Sequence, residues 1–257
     1  MDKHIRYEIK DRIATIVIDR PEKKNAMTFA MLDAFHEAVA EAGQNENVWV
    51  LIVRGSGGAF CAGIDLADLQ ATPEDRRGGE ERKATPWPLL ACPKPVIAAI
   101  DGAAVGMGAE FTSQCDVRIA STRTRFAWNF VHRGLVPDMG AGSWLLPRLI
   151  GLQPALRLLY SGDFLHAPEA LAIGYVSRVL EPDQVAGAAW EEAQRFLQGS
   201  PFSIRRIKRL VYEGLARSPE EHIVHHRKAL DECFHSHDHA EGIASFLERR
   251  PPQFTGR

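Results

Sequence analysis

The sequence predicts an α/β fold with a helical C-terminal region, and three observations carry that reading. Short runs rich in β-branched residues recur through the first half, a helix-period segment separates two of them, and from residue 182 the helical period takes over. Ile13-Ala-Thr-Ile-Val-Ile-Asp19 is apolar and followed by Pro21, so it reads as a strand leaving the core, with residues 5–9 as its pairing partner. Over residues 28–42, Met31, Leu32, Phe35, Ala38 and Val39 recur at helical spacing, and Gly43 supplies a stop. Residues 48–53 and 95–100 are apolar throughout, as strands are when a parallel sheet is covered on both faces. Between them, residues 71–85 are polar, charged and bounded by prolines, which predicts a surface segment that orders on ligand binding. Residues 182–247 are helical in pattern almost throughout. The expected division is a core over 1–195 that carries the site and a helical region over 196–257.

Composition narrows the class of partner. With 257 residues, 45% hydrophobic and 25% charged, the chain can bury one sizeable core. A net charge of -2 and a pI near 6.6 leave no broad basic field, so nucleic acid is not an expected partner. Arg205, Arg206, Lys208 and Arg209 read as a solvated helix face. No window reaches the ~20 apolar residues of a membrane span, and Met1-Asp-Lys-His4 lacks a signal-peptide core, so a cytoplasmic location away from membrane is expected. Cys61, Cys92, Cys115 and Cys233 are scattered without a CxxC pair and read as reduced thiols. His222 and His226 lie four apart, but no HExxH pattern accompanies them and no metal is expected.

Chemistry concentrates in two Gly-rich turns that follow strands and open into helix-like segments. They are Arg54-Gly-Ser-Gly-Gly-Ala-Phe-Cys-Ala-Gly-Ile-Asp65 and Asp101-Gly-Ala-Ala-Val-Gly-Met-Gly-Ala-Glu110. Glycine lets backbone approach a ligand, and the first N–H groups of a helix lack intrahelical partners, so such turns suit anions and developing oxyanions. Neither is a phosphate loop, because no GK[ST] follows. On spacing alone each could equally be a tight connection.

The full strings go further. Phe60-Cys-Ala-Gly-Ile-Asp-Leu66 and Lys94-Pro-Val-Ile-Ala-Ala-Ile-Asp-Gly-Ala-Ala-Val-Gly-Met-Gly-Ala-Glu110 resemble the two signature segments of the crotonase (enoyl-CoA hydratase/isomerase) superfamily. Arg20-Pro-Glu-Lys-Lys-Asn-Ala-Met27, Cys115-Asp-Val-Arg-Ile-Ala120, and Gly134-Leu-Val-Pro-Asp138 through Leu146-Pro-Arg-Leu-Ile-Gly151 follow in the family's order, so the resemblance spans essentially the whole chain. It implies a crotonase-like spiral of ββα units with a helical C-terminal trimerisation region, assembled as a homotrimer or homohexamer. It also implies an acyl-CoA thioester substrate, coenzyme A being part of the substrate, with no separate cofactor. The family's oxyanion donors fall on the backbone N–H groups of Ala62 and Met107. Its coenzyme A contacts fall on Lys23, Lys24, Ala62, Gly63, Ile64 and Asp65, and on Phe246 and Arg249, which otherwise read as ordinary residues of a packed helix.

The resemblance also frames the reaction. Glu110 stands where hydratases carry the first of two glutamates, with a structural salt bridge as its alternative role. The second aligns with Phe130, which can neither donate nor accept a proton. Asp138 stands where several isomerases and dehalogenases of the superfamily carry an aspartate, its alternative role being a helix N-cap before Met139. Two carboxylates over one substrate can divide proton removal and return, provided burial raises one pKa. Trp128 and Phe130 are candidate acyl-pocket residues, sharing a face with His132 if the stretch is extended; His132 is read as structural. Enoyl-CoA hydration or double-bond isomerisation is therefore expected. An aspartate-nucleophile hydrolase or dehalogenase, or a non-catalytic CoA- or RNA-binding homologue, stands as the alternative.

Overall fold

The computed structural model describes residues 2–72 and 87–257, so nearly all of the polar segment over 71–85 lies outside the described residues. Ile5–Lys10 (β1) and Ile13–Ile18 (β2) form an antiparallel hairpin, Ile5 opposite Ile18. Its two-residue turn, Asp11 and Arg12, has φ of 48° and 64°, the double left-handed geometry whose twist matches a tight hairpin. Phe29–Gln44 (α1) then carries the chain to Val50–Gly55 (β3), which pairs parallel with β2. Thr28 caps α1 by accepting from Met31 N–H. Gly43 does not stop the helix as its sequence position suggests. It lies inside the last turn, with Pro93 packed against it, and Lys94 Nζ donates to the carbonyls of Ala42 and Asn45 at the helix end.

From β3 the chain repeats one pattern. Ala59–Cys61 (β4) leaves β3 at a sharp corner and is followed by Leu66–Ala71 (α2); Pro88–Ala91 (α3) leads into Val96–Ile100 (β5). Ala103–Val105 (β6) leads into Met107–Ser113 (α4), and Val117–Ser121 (β7) is followed by Arg125–Ala127 (β8). The first strand of each pair joins one sheet and the second joins another. A six-stranded sheet thus has the order β1, β2, β3, β5, β7 and Arg178–Leu180 (β10), while β4, β6, β8 and Leu165–His166 (β9) form a four-stranded sheet. This is a spiral of ββα units. Short helices Ala141–Trp144 (α5), Leu146–Ile150 (α6), Leu152–Ser161 (α7) and Ala167–Ala172 (α8) close the turn around the second sheet.

The all-apolar strands are explained by burial on both sides. Leu51, Val53, Val96, Ala98 and Ile100 face the inner core with Phe35, Phe111 and Phe126. Their alternates Val50, Ile52, Ile97, Ala99 and Ile119 face Val185–Phe196 (α9) through Val185, Ala188, Ala189 and Ala193. Beyond it, Pro201–Gly214 (α10), Pro219–Phe234 (α11) and His237–Glu248 (α12) form the helical C-terminal region.

One buried polar knot ties that region to the sheet. Lys208 Nζ donates to Asp116 Oδ2 at 2.9 Å and to the carbonyls of Leu89 and Lys94, while Tyr212 donates to Asp116 Oδ1 at 2.8 Å. Lys208, read from sequence as part of a solvated face, is thus buried with its ammonium paired. Removing one partner of such a pair strands the other charge. Asp116→Ala is therefore expected to cost about 3 kcal/mol, measured by denaturant unfolding, and an unchanged midpoint would mean that the carbonyls alone satisfy Lys208.

Candidate functional site

The site forms where β4 and β6 end side by side. Gly106, at φ 55° and ψ -121°, turns the chain from β6 into α4, a geometry that L side chains rarely adopt. One residue into the helix, Gly108 lies directly on the end of β4, and a Cβ there would sit 2.2 Å from Cys61 O. Gly108→Ala must therefore push the 61–65 loop away from the helix. It is expected to cost about 1–3 kcal/mol of stability and most of the activity, read by thermal melts and steady-state assay; a fully active variant would mean that this apposition is dispensable.

The loop opposite α4 uses its N–H groups in alternation. Met27 N–H donates to Gly63 O at 2.8 Å and Asp65 N–H to Met27 O at 2.7 Å, a parallel bridge centred on Ile64. Ala62 N–H donates to Lys24 O at 3.1 Å, and Gly63 N–H lies 3.4 Å from Cys61 Sγ. The bridge leaves Ile64 N–H on the side away from Met27. Among the described residues, neither Ile64 N–H nor Met107 N–H has an acceptor. This corrects the expectation for Ala62: its N–H is engaged within the chain, and the open donor of the loop is two residues later. Met107 keeps its expected place at the helix start.

Glu110 lies one turn into α4 and is fully buried. Its Oε1 accepts from Gly142 N–H at 2.7 Å, whereas Oε2 has no partner among the described residues. Among the described residues it forms no salt bridge, the alternative role expected for it. Burial first, and the nearby charge of Asp138 second, push its carboxyl up to about 8, against the pull of the Gly142 and Ala141 N–H groups. Asp138 lies in the loop before α5 and is exposed. The surrounding protein still removes enough water to raise it to about 6, with the N–H groups of Met139 and Asp138 itself acting in the opposite direction. It is not a helix cap: α5 begins at Ala141, is preceded by left-handed Gly140, and has no side-chain cap. The charge of Asp138 reaches into the site, raising both the Glu110 carboxyl and the Cys61 thiol.

The aromatic candidates separate. Residues 129–133 form a 3-10 helix, so Trp128, Phe130 and His132 do not alternate along an extended strand as expected. Trp128 is a core side chain behind Glu110, edge-on to Tyr175 at 5.3 Å. Phe130 reaches the start of α4, its Cζ 3.9 Å from where a Cβ on Gly106 would lie. His132 turns to Ser161 O at 2.7 Å.

On the nucleotide side, Lys23 and Lys24 are exposed in a turn where Lys24 is left-handed, at φ 51°. Asp65 caps α2 and pairs with Arg20 at 2.8 Å, an interaction that holds its carboxyl below its ordinary value, while its N–H donates to Met27 O and its carbonyl accepts from Leu69 N–H. Buried Asn25, at φ 59°, donates to Ser56 O and Ala59 O and accepts from Arg20 N–H, binding the two loops together. The Arg20-Pro…Asn25 run was the sequence signal for this frame. Phe246 is 83% exposed and Arg249 ends α12 in the left-handed conformation. No hydrogen bond or ion pair among the described residues joins Arg249 to residues 23–24 or 62–65. Among these residues no group of His, Cys, Asp or Glu could hold a metal ion, and no helix is long and apolar enough to cross a membrane.

A ββα spiral that presents two open backbone donors beside a buried carboxyl defines a class of site. Comparison with known proteins gives the family. The model of the enoyl-CoA hydratase/isomerase family matches residues 8–257, and the chain belongs to that family, within the crotonase superfamily. It is 35% identical to a probable enoyl-CoA hydratase of Rhodobacter capsulatus, over 98% of both chains. It is 30% identical to a 1,2-epoxyphenylacetyl-CoA isomerase of Escherichia coli, over 100% of both. Its fold superposes on the crystal structure of an enoyl-CoA hydratase from Bacillus anthracis with a TM-score of 0.92 at 28% identity, covering 99% of this chain and 100% of that one. The chain is thus an acyl-CoA enzyme of the hydratase/isomerase type.

Proposed function

We propose that the chain moves the double bond of an enoyl-CoA thioester through an enolate held by Ile64 N–H and Met107 N–H, with Asp138 and Glu110 as base and acid. The observation that carries this reading is the unequal pair of carboxyls at one site. At neutral pH, Asp138, at about 6, is mostly ionised and able to take a proton, while Glu110, at about 8, is mostly protonated and able to give one. Each backbone donor to a developing oxyanion contributes ~3 to 4 kcal/mol where water is excluded. Phe130 occupies the position of the second hydratase glutamate and offers no second acid. Isomerisation is accordingly favoured over hydration. Coenzyme A would lie along Lys23, Lys24 and residues 62–65. The exposed Ile207, Val211, Phe234, Phe246 and Leu247 of the C-terminal helices supply the apolar surface that a homotrimer would cover, with Phe246 and Arg249 brought to the nucleotide of a neighbouring copy.

The test is to incubate the protein with crotonyl-CoA, 3-hexenoyl-CoA and a dienoyl-CoA in deuterated water, following deuterium by NMR. Double-bond migration with deuterium at the α or γ carbon supports the proposal. Water addition to crotonyl-CoA without migration would make the enzyme a hydratase, and label from heavy-oxygen water found in Asp138 would make it a nucleophile.

A further inference from the structure

The face of α4 that carries Glu110 bears a second unsatisfied group. Gln114 is fully buried, and its Oε1 has no partner among the described residues. Its Nε2 lies 3.8 Å from Met139 Sδ. A thioether can only accept, so the amide nitrogen belongs on the Met139 side and the oxygen is the open atom. Leaving such an acceptor dry costs about 1–3 kcal/mol, a penalty that a core position would avoid with Leu or Met.

Its place on the helix indicates what the oxygen serves. Met107, Glu110 and Gln114 follow at intervals of three and four residues, and Gln114 keeps right-handed helical dihedrals, so the three share one face. At the helical rise, Gln114 lies ~6 Å beyond Glu110, on the side away from the open N–H of Met107. Met139, whose sulfur meets the Gln114 amide, is itself held by an aromatic pair. Trp87 Nε1–H donates to Met139 O at 2.6 Å, and the Trp87 ring stacks on Trp144 at 5.3 Å. Met139 is an unbranched, adaptable side chain beside the Gln114 amide.

We propose that Gln114 is a specificity-determining residue whose amide oxygen accepts a hydrogen bond from a hydroxyl at the far end of the acyl group. Planar carbons between the thioester and that hydroxyl pack against Met139 and Trp87. A ring with its hydroxyl opposite the α carbon spans the separation of Glu110 from Gln114, so the substrate class is a hydroxyaryl acyl thioester. This inference rests on the acyl-CoA reading of the same site.

The test uses binding, which does not depend on the reaction type. Phenylacetyl-CoA and 4-hydroxyphenylacetyl-CoA are titrated calorimetrically into the wild-type protein and into Gln114→Met. The wild type is expected to bind the hydroxylated thioester at least tenfold tighter. Gln114→Met removes that preference and leaves phenylacetyl-CoA within about twofold, since a side chain of merely structural importance would shift both ligands together. Equal affinity of the wild type for the two thioesters would overturn the proposal without recourse to a variant, and would assign the amide oxygen to a buried water. Binding of neither thioester would instead remove the acyl-CoA reading on which it rests.

Discussion

Glu110→Gln is expected to lower kcat by about a thousandfold and, at the same time, to make the protein more stable above neutral pH. Both effects follow from one side chain held fully buried with a single hydrogen bond. Glutamine keeps the acceptor for Gly142 N–H and fills the same volume, so the fold is preserved, but it cannot release a proton. The stability effect has a definite sign. The folded-state value of about 8 lies above the ordinary 4.5, so over that interval the folded protein holds a proton that the unfolded chain has lost. The contribution of neutral Glu110 is full below about pH 4.5 and is lost as pH rises through 8. Glutamine suffers no such loss. The advantage of the variant should therefore widen from pH 5 to pH 8 and approach about 4 kcal/mol, several degrees in Tm. Thermal melts at pH 5, 7 and 9 beside steady-state kinetics measure both halves. A variant that loses activity and is also less stable at pH 9 would mean that the carboxylate is ionised and satisfied in the folded protein, and the acid role would fail with it.

The sequence made the spiral legible because its strands are buried on both faces: a run such as Val50 to Val53 has no polar alternate to blur it. Resemblance placed Glu110 and Met107 at the site for a related reason, since a Gly-rich strand-to-helix turn fixes where the helix begins and what lies one turn in. The open N–H of the first loop lies two residues beyond the one expected. Which N–H of an extended segment is open depends on the register of its bridge to Met27, a long-range fact with no local signature. The same limit applies to Lys208, whose place in an Arg- and Lys-rich run suggested solvent until Asp116 arrived from the sheet. Gln114 had no motif at all. Only an unfilled hydrogen bond in a packed interior distinguishes it.

The dependence of kcat/KM on pH is expected to be bell-shaped, rising through about 6 and falling through about 8, because the free enzyme needs Asp138 ionised and Glu110 protonated together. The limbs are not independent. The charge of Asp138 is the second cause of the high value at Glu110, so the two apparent values belong to the pair. Asp138→Asn should accordingly change three things at once: the acid limb disappears, the alkaline limb moves to lower pH as Glu110 loses its anionic neighbour, and the plateau falls by roughly 10²- to 10³-fold for want of the base. The loss of the acid limb is the discriminating feature, because the alkaline limb moves whenever the charge of Asp138 is removed, whereas a residue whose ionisation played no part in the reaction would leave the acid limb in place. If the roles were reversed, with Glu110 as base and Asp138 as acid, the wild-type bell would keep the same two limbs, but Asp138→Asn would lose the alkaline limb and its activity would rise through the lowered value of Glu110 to a plateau. A profile of kcat/KM from pH 5 to 9.5 on the wild type and the single variant separates these cases, since the limb that survives in Asp138→Asn is the one Glu110 controls, falling with pH if Glu110 is the acid and rising if it is the base.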